Sequence, residues 1–313
     1  MNMKHTPLLH HYPVSPFAEK VRRILGFKAI EWGSVMIPMI MPKPDVVALT
    51  GGHRRTPVLQ IGADIYCDTA LISDVLEHLE PSPTLYPDHV KGQTRVLAQW
   101  ADTLLFPVAM AYNFQPKGAE HVFAQMGAQA AKAFGADRAA MRGGQPRMSP
   151  PEATITYQSY LRRLASMLEH SPYLCGETPS LADFSVYHPL WFTFNNVPHL
   201  SDIFDATPQI KGWYERMSQW GCGKSTDVSS TKALEISKNA TPAPLKSEIF
   251  EDVHGIPLGE RVVLQAESFG IEPTEGVLMA ATKTRFTLQR TDPRAGTVHV
   301  HFPRVGFVLK AAA

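Results

Sequence analysis

The sequence has little cysteine and almost no net charge, and each shortage excludes a class of protein. Its three cysteines, Cys67, Cys175 and Cys222, are odd in number and widely spaced, which argues against a disulfide framework and against a cysteine-rich zinc site. Lys and Arg total 30 and Asp and Glu total 29, so the net charge is only +1. No long-range field is available to hold a nucleic acid or an anionic membrane, and we expect neither as a partner.

Long apolar runs are also missing from the chain. No stretch approaches the ~20 apolar residues of a membrane span, and the N-terminal MNMKHTPLLHHYP has too short an apolar run for a secretory signal. The expected location is therefore the cytoplasm. A length of 313 residues, 44% of them hydrophobic, is enough for two or three ordinary globular domains.

Hydrophobic periodicity predicts a mixed α/β arrangement over roughly the first 80 residues. The order is strand, helix, strand, short helix, strand, strand and helix. Ser15 suits a helix cap and Pro16 suits the first helical position, so the first helix should begin there. The predicted strands are 8–12, 30–37, 56–60 and 65–67, and the predicted helices are 16–27, 41–52 and 68–80.

Beyond Asp88 the pattern becomes helical and then changes to short strands. Residues 221–245 are small, polar and interrupted by proline, so we interpret them as a linker. The predicted helices are 90–113, in which Pro107 is a kink or an interruption, 152–170, 180–194 and 208–220. The predicted strands are 261–266, 276–281, 284–289, 297–301 and 306–310, which together indicate a small all-β module.

Five short motifs occur in an order that resembles the glutathione transferase family. They are SPFAEKVR from Ser15, KPD from Lys43, TPVL from Thr56, DTALI from Asp68, and Gly176 followed by SLAD from Ser180. Together they cover about residues 1–222. The resemblance implies a thioredoxin-like α/β glutathione-binding domain at 1–85 and an all-α helical substrate domain at 88–222. The small all-β C-terminal module at 246–313 matches no part of the usual two-domain family, and its role is open.

The resemblance implies a glutathione-dependent transferase that activates the glutathione thiolate for attack on a small hydrophobic electrophile. Ser15 would be the catalytic hydroxyl, because it can donate to the sulfur while the amides at the start of the helix favour negative charge. Tyr12, near the end of the first strand, is the alternative hydroxyl. A cysteine at position 15 would support thiol–disulfide exchange, which serine cannot. The resemblance also implies a homodimer. We expect no metal.

On the same resemblance, five residues are expected to bind glutathione: Lys43, Thr56, Pro57, Asp68 and Thr69. A cis bond before Pro57 would turn the backbone of Thr56 toward the ligand. Thr69 and the free amides beside it suit the γ-glutamyl carboxylate, and Lys43 could meet the glycine carboxylate. Asp68 either accepts from the γ-glutamyl ammonium or only caps the helix.

A second function stays open beside the transferase. The chain could be a non-catalytic binding or scaffold protein that uses the C-terminal β module. In that module His299 and His301 alternate on a strand and so share one face, which permits a metal, but two ligands are too few for a site.

If the chain is a transferase, the Ala- and Gly-rich segment 117–151 is expected to roof the substrate cleft.

Overall fold

One continuous sheet runs through the protein, whose computed structural model describes residues 6–124, 126–245, 249–251 and 253–312. The strands are β1 (Leu8–His11), β2 (Trp32–Met36), β3 (Val58–Ile61), β4 (Asp64–Cys67), β5 (Ser225–Asp227), β6 (Arg261–Ala266), β7 (Thr274–Ala281), β8 (Arg285–Asp292), β9 (Gly296–Pro303) and β10 (Phe307–Ala311). Their order across the sheet is β10-β6-β7-β8-β9-β4-β3-β1-β2-β5.

Helices cover the sheet and form a second, purely helical part. They are α1 (Pro16–Phe27), α2 (Pro44–Thr50), α3 (Thr69–Leu79), α4 (Lys91–Trp100), α5 (Phe106–Asn113), α6 (Pro116–Phe123), α7 (Ala128–Arg142), α8 (Pro150–Met167), α9 (Leu181–Asn196), α10 (Pro208–Ser218) and α11 (Ser230–Asn239). None of the described helices is long and apolar enough to cross a membrane.

The first four strands have the thioredoxin-like arrangement that the family resemblance implied. β1 pairs parallel with β2 and antiparallel with β3, and β3 pairs antiparallel with β4. Helices α1 and α3 contact each other, and their apolar faces enter one buried cluster with Leu9 and Leu59 of the sheet. α1 begins where predicted, because the Ser15 hydroxyl oxygen accepts from the Ala18 N–H at 3.3 Å and Pro16 occupies the first turn.

The predicted long helix at 90–113 is present with a local change of winding. A π-helical turn at Ala101–Leu105 joins α4 to α5 just before Pro107. Proline has no N–H to donate to the preceding turn, so the predicted irregularity takes the form of a widened turn between two α-helical segments.

The SLAD motif fixes the start of α9. One oxygen of the Asp183 carboxylate accepts from the backbone N–H of Ser180 at 2.9 Å and from its hydroxyl at 3.0 Å. The other oxygen accepts from the Leu174 N–H at 2.9 Å and from the Trp213 indole N–H at 3.0 Å. The motif therefore anchors the helical core and acts in folding.

The linker interpretation of residues 221–245 is wrong over most of its length. β5 pairs parallel with β2 at the edge of the sheet, and α11 follows it. Ser229 caps α11 by accepting from the Lys232 N–H at 3.1 Å, and Ala233 and Leu234 are buried. Two apolar residues in a polar stretch are a weak periodic signal, although the serine cap was visible in the sequence.

The C-terminal strands continue the sheet of the first four strands. All five predicted strands are present as β6–β10, and β9 pairs parallel with β4, which places Asp64 opposite His299 and Tyr66 opposite His301. Apolar side chains of β6–β10 share one buried cluster with residues of α2, β3 and β4. The strands were predictable from local patterns, but their attachment to β4 was not.

His53 is buried where the two halves of the sheet meet. It is 2% exposed, and its ring lies 5.5 Å from the Phe302 ring and 5.9 Å from the Phe307 ring. No hydrogen-bond partner for its Nε2 exists among the described residues. Burial is the largest cause that lowers its pKa to about 3, and Arg55 and Lys43 add to the shift, so the imidazole is neutral at pH 7.

Acid should destabilise the protein partly through His53. Below its ordinary pKa of 6.5 the unfolded histidine takes up a proton that the folded form resists down to about pH 3, so the free energy of unfolding falls as the pH falls through this window. We expect His53→Phe to have a shallower loss of stability than the wild type over this range in urea titrations. His89→Phe, at an exposed position, is the matched control. A His53→Phe profile parallel to that of the wild type would contradict the assignment.

Candidate functional site

Ser15 lies at the N-terminus of α1 with its hydroxyl at the first turn. Its Oγ accepts from the Ala18 N–H at 3.3 Å, and the residue is 2% exposed. Oγ has no second partner among the residues that the structure describes, so its proton is not committed to a protein acceptor there. A hydroxyl donor at the positive end of a helix can stabilise an anion such as a thiolate.

Lys43 and Thr56, two of the residues predicted to bind glutathione, are in direct contact. Lys43 Nζ donates to Thr56 Oγ1 at 3.0 Å and to the Arg54 carbonyl at 3.4 Å. The peptide bond between Thr56 and Pro57 is cis, as the family resemblance implied. Lys43 is buried, and these two hydrogen-bond acceptors are neutral oxygens. Its ammonium group can therefore still bind a carboxylate.

Tyr12, the alternative hydroxyl, belongs to the contact between α7 and the first strands. Its Oη accepts from Arg138 Nη2 at 3.3 Å, and the same nitrogen donates to the Met39 carbonyl at 3.0 Å. Lys43 Nζ lies 5.5 Å from the centre of the Tyr12 ring. Burial, followed by the charge of Arg138, lowers the pKa of Lys43 to about 8, and Asp137 opposes this shift. Two cations are thus held close together in this region.

Asp68 and Thr69 open α3. Asp68 has a φ of 75°, and its Oδ1 accepts from the Ala70 N–H at 2.9 Å, so it does cap the helix. Burial raises the pKa of the Asp68 carboxyl, while the Ala70 amide and Arg55 oppose the shift. Thr69 is buried, and its Oγ1 accepts from Lys20 Nζ at 3.2 Å. The helix that Ser15 caps therefore also supplies a cation to Thr69.

Lys20 belongs to a buried charged cluster between α1, the π turn and α9. Its Nζ lies 2.6 Å from Asp102 Oδ2, and Asp102 Oδ1 accepts from His188 Nε2 at 3.0 Å. Burial acts to raise the pKa of Asp102, but Lys20 and His188 hold it below its ordinary value. Burial lowers the pKa of His188. The cluster is therefore an ion pair between Lys20 and Asp102, supported by a neutral imidazole.

The position of Lys20 in the sequence indicates a buried lysine. Lys20 lies three residues after Phe17 and four before Ile24, so it falls on the apolar face of α1. A lysine on a buried helix face requires a partner, which predicts a buried acid. The identity of that acid was not readable, because Asp102 lies 82 residues further along the chain.

α7 closes the end of the site that contains Arg54 and Lys43. Asp137 Oδ1 accepts from Arg54 Nη1 at 2.8 Å and from the Met41 N–H at 3.2 Å. The segment 117–151, predicted as a roof, therefore contains a docked helix. The Asp137 carboxylate thus occupies the donors of Arg54 and Met41. These donors lie beside Lys43, the lysine that is expected to bind a carboxylate of the ligand.

Residues of the C-terminal part of the chain contact Arg54 and the neighbouring Arg55. Glu272, between β6 and β7, has its Oε1 2.8 Å from Arg54 Nε, and Arg55 Nε donates to the Phe269 carbonyl at 2.7 Å. Arg54 thus pairs with one carboxylate from α7 and with one from the connection between β6 and β7. Two surface cavities, of about 300 and 410 Å³, lie elsewhere on the protein and include neither Ser15 nor Arg54.

Family comparisons match the two parts of this arrangement. The family model for the glutathione S-transferase N-terminal domain matches residues 9–84, and the model for the glutathione S-transferase C-terminal domain matches residues 120–216. The first match contains the residues predicted to bind glutathione, and the second contains α7. Strands β6–β10 lie outside both matches.

Individual relatives extend the likeness to the C-terminal strands. A GST-like protein from Pseudomonas syringae is 42% identical, and the comparison covers 98% of this chain and 100% of that one with a TM-score of 0.83. FtsZ-localized protein A of Caulobacter vibrioides is 24% identical over 226 residues, which is 68% of this chain and 87% of that protein. Glutathione transferase F2 of Populus trichocarpa is 15% identical, with a TM-score of 0.52 over 68% of this chain and 93% of its own, and shares the fold alone.

Lys20→Met should be strongly destabilising. The substitution leaves the Asp102 carboxylate partly buried without its cation, at an expected cost of about 3–5 kcal/mol in the free energy of unfolding. Lys211→Met is the matched control, because it breaks an exposed pair with Asp205 and should cost less than about 1 kcal/mol. Urea denaturation measures both. Similarly small losses of stability in both variants would show that Lys20 and Asp102 are not a buried ion pair. Partial recovery of stability in the double variant Lys20→Met/Asp102→Leu would support the buried pair.

Proposed function

This chain belongs to the glutathione S-transferase family, and we propose that it is a glutathione-dependent transferase that activates the glutathione thiolate for attack on a small hydrophobic electrophile. The observation that carries the proposal is the position of Ser15. Its hydroxyl caps α1 while its proton has no acceptor among the described residues. We also expect a homodimer, as is usual in this family.

In the proposed reaction, the sulfur of glutathione lies against the start of α1. A free thiol has a pKa of about 8.5, so only a small fraction is ionised at neutral pH. A hydrogen bond from Ser15 and the amides of the first turn would lower that pKa, and the thiol proton would pass to solvent. The thiolate then attacks the electrophilic carbon, forming the C–S bond while the leaving group departs with its bonding electrons.

The two ends of glutathione would use the two buried lysines. Lys43 donates to neutral oxygens, so an arriving glycine carboxylate would give it a charge-assisted hydrogen bond. At the other end, Thr69 lies at the N-terminus of α3 and is held by Lys20, which suits the γ-glutamyl carboxylate. Asp68 and the backbone before Pro57 complete the proposed set.

Binding at the Lys43 end requires a change in α7. Asp137 already accepts from Arg54 and from the Met41 N–H, beside Lys43. We infer that the glycine carboxylate of glutathione replaces Asp137 there and that α7 moves away from these donors. The closed arrangement would then be the form of the protein without ligand.

The same closure favours a second function. If α7 stays docked, Arg54 remains paired with Asp137 and Glu272, and a carboxylate of glutathione would find these donors already occupied. The chain would then be a non-catalytic binding or scaffold protein. The similarity to FtsZ-localized protein A also supports this candidate.

Ser15→Ala tests the transferase. Loss of a charge-assisted hydrogen bond to the thiolate, worth about 1.5–3 kcal/mol, should lower kcat/KM for conjugation with an aryl halide by about 10–100-fold. Ser229→Ala is the matched control: it removes a cap of the same type from α11, so it should cost similar stability and leave activity unchanged. Equal rates in wild type and Ser15→Ala would remove Ser15 from the mechanism, and a wild type that does not bind glutathione would favour the scaffold.

Asp137→Asn tests the closure. Asparagine keeps the shape but loses the charge that pairs with Arg54, so the closed form should be less populated. Because a closed form reduces the apparent affinity of a ligand, we expect glutathione to bind at least about fivefold more tightly to the variant in calorimetry. Asp205→Asn, at an exposed ion pair, should bind like the wild type. Equal affinities for wild type and Asp137→Asn would show that α7 does not compete with glutathione.

A further inference from the structure

Three side chains with metal-binding atoms meet on one face of the sheet, where β9 pairs with β4. Asp64 lies opposite His299, and His301 follows two residues later on the same face. One potential ligand atom from each lies within 4.8 Å of the others, and all three residues are buried. We propose that Asp64, His299 and His301 form a binding site for a divalent first-row transition-metal ion such as zinc.

The separations between the donor atoms suit such an ion. Asp64 Oδ1 lies 2.9 Å from His301 Nε2 and 3.9 Å from His299 Nδ1. Zinc binds nitrogen at about 2.0–2.1 Å in tetrahedral geometry, which places neighbouring ligand atoms about 3.3 Å apart. That value lies between the two observed distances, so small movements of the rings are sufficient. Two imidazoles and one carboxylate also favour zinc and its neighbours over magnesium or calcium.

The ring atoms that face away from the proposed ion have their own partners. His301 Nδ1 lies 2.9 Å from Thr287 Oγ1, and His299 Nε2 lies 3.4 Å from Gln289 Oε1. Tyr66 stacks on the His301 ring, with 4.5 Å between the ring centres. His299 Nδ1 carries a lone pair if Nε2 donates to Gln289. His301 Nε2 donates to the Asp64 carboxylate without an ion, whereas with an ion its proton would move to Nδ1, toward Thr287 Oγ1, and Nε2 would supply a lone pair. Outer hydrogen bonds of this kind fix the tautomer and orientation of histidines that bind metals.

The inward nitrogen of His299 distinguishes a ligand site from a simple hydrogen-bond network. The His299 side chain is 9% exposed, and its Nδ1 has no hydrogen-bond partner within the described part of the chain. A buried polar atom without a partner costs about 1–3 kcal/mol, and a metal ion would satisfy it. Asp64 Oδ2 accepts from the Ala243 N–H at 2.8 Å, which leaves Oδ1 facing the histidines.

The ion would connect the C-terminal strands to the first domain. Two ligands come from β9, and the third comes from β4, 237 residues before His301. An ion that binds the folded chain and not the unfolded chain stabilises the fold by mass action. The role is therefore structural, and the fourth coordination position would hold water.

Cobalt(II) alone is a suitable probe, because it has visible absorption in sites that bind zinc. The full chain, with any purification tag removed, is stripped with a chelator and titrated with cobalt(II). We expect one ion per chain by elemental analysis, visible absorption and a higher Tm. His299→Gln keeps the contact between His301 and Asp64 but removes one ligand, so its affinity should fall by at least about tenfold. His254→Gln, at an exposed histidine of the same region, should bind like the wild type.

A wild type that binds no cobalt(II), or a His299→Gln variant that binds it like the wild type, would overturn the site. Should His299→Gln fail to fold, the isosteric Asp64→Asn provides the second test. Loss of cobalt binding with an unchanged circular dichroism spectrum supports the site, and retained binding overturns it. These outcomes do not depend on glutathione, so the site and the proposed transferase are tested separately.

Discussion

The parallel pairing of β9 with β4 is the constraint on which the rest of the structure depends. Without β9, the outer edge of β4 would leave its backbone N–H and C=O groups unpaired, and the apolar cluster shared by the two halves of the sheet would be open. The pairing gives the C-terminal strands a fixed place. It also brings Glu272 to Arg54 and sets Asp64 beside His299. The added strands therefore affect the predicted ligand site as well as the fold.

The charges of that site are balanced within the protein itself. Arg54 pairs with Asp137 of α7 and with Glu272, while Lys20 pairs with Asp102 beneath Thr69. Lys43 differs from these two residues, because it donates hydrogen bonds to neutral oxygens of Arg54 and Thr56. A ligand carboxylate would be the first charged hydrogen-bond acceptor of Lys43, but Asp137 of α7 lies beside the lysine, on Arg54 and the Met41 N–H, and must first be displaced. Transferase and scaffold thus differ in one physical respect, which is whether α7 can leave.

Features set by neighbouring residues were predictable from the sequence, and features set by distant residues were not. The cap at Ser15, the capping box at Asp183 and the strands β6–β10 follow from short patterns, and the structure contains all of them. Three contacts instead join segments that lie far apart in the chain: Lys20 with Asp102, Arg54 with Asp137, and His299 with Asp64. A single sequence carries no record of such pairs. α11 was missed for another reason, because its buried face is too small to give a clear period.

Amide hydrogen exchange in the native protein is the most direct test of the junction. The His299 N–H donates to the Ala63 carbonyl at 3.0 Å, so its exchange reports on the contact between the two halves of the sheet. If the sheet is one cooperative unit, amides of β9 and β8 should exchange with the same free energy of opening as those of β1 and β3. Exchange of β6–β10 in a separate step of lower free energy, with β1–β4 still protected, would contradict a single sheet held together at β4 and β9.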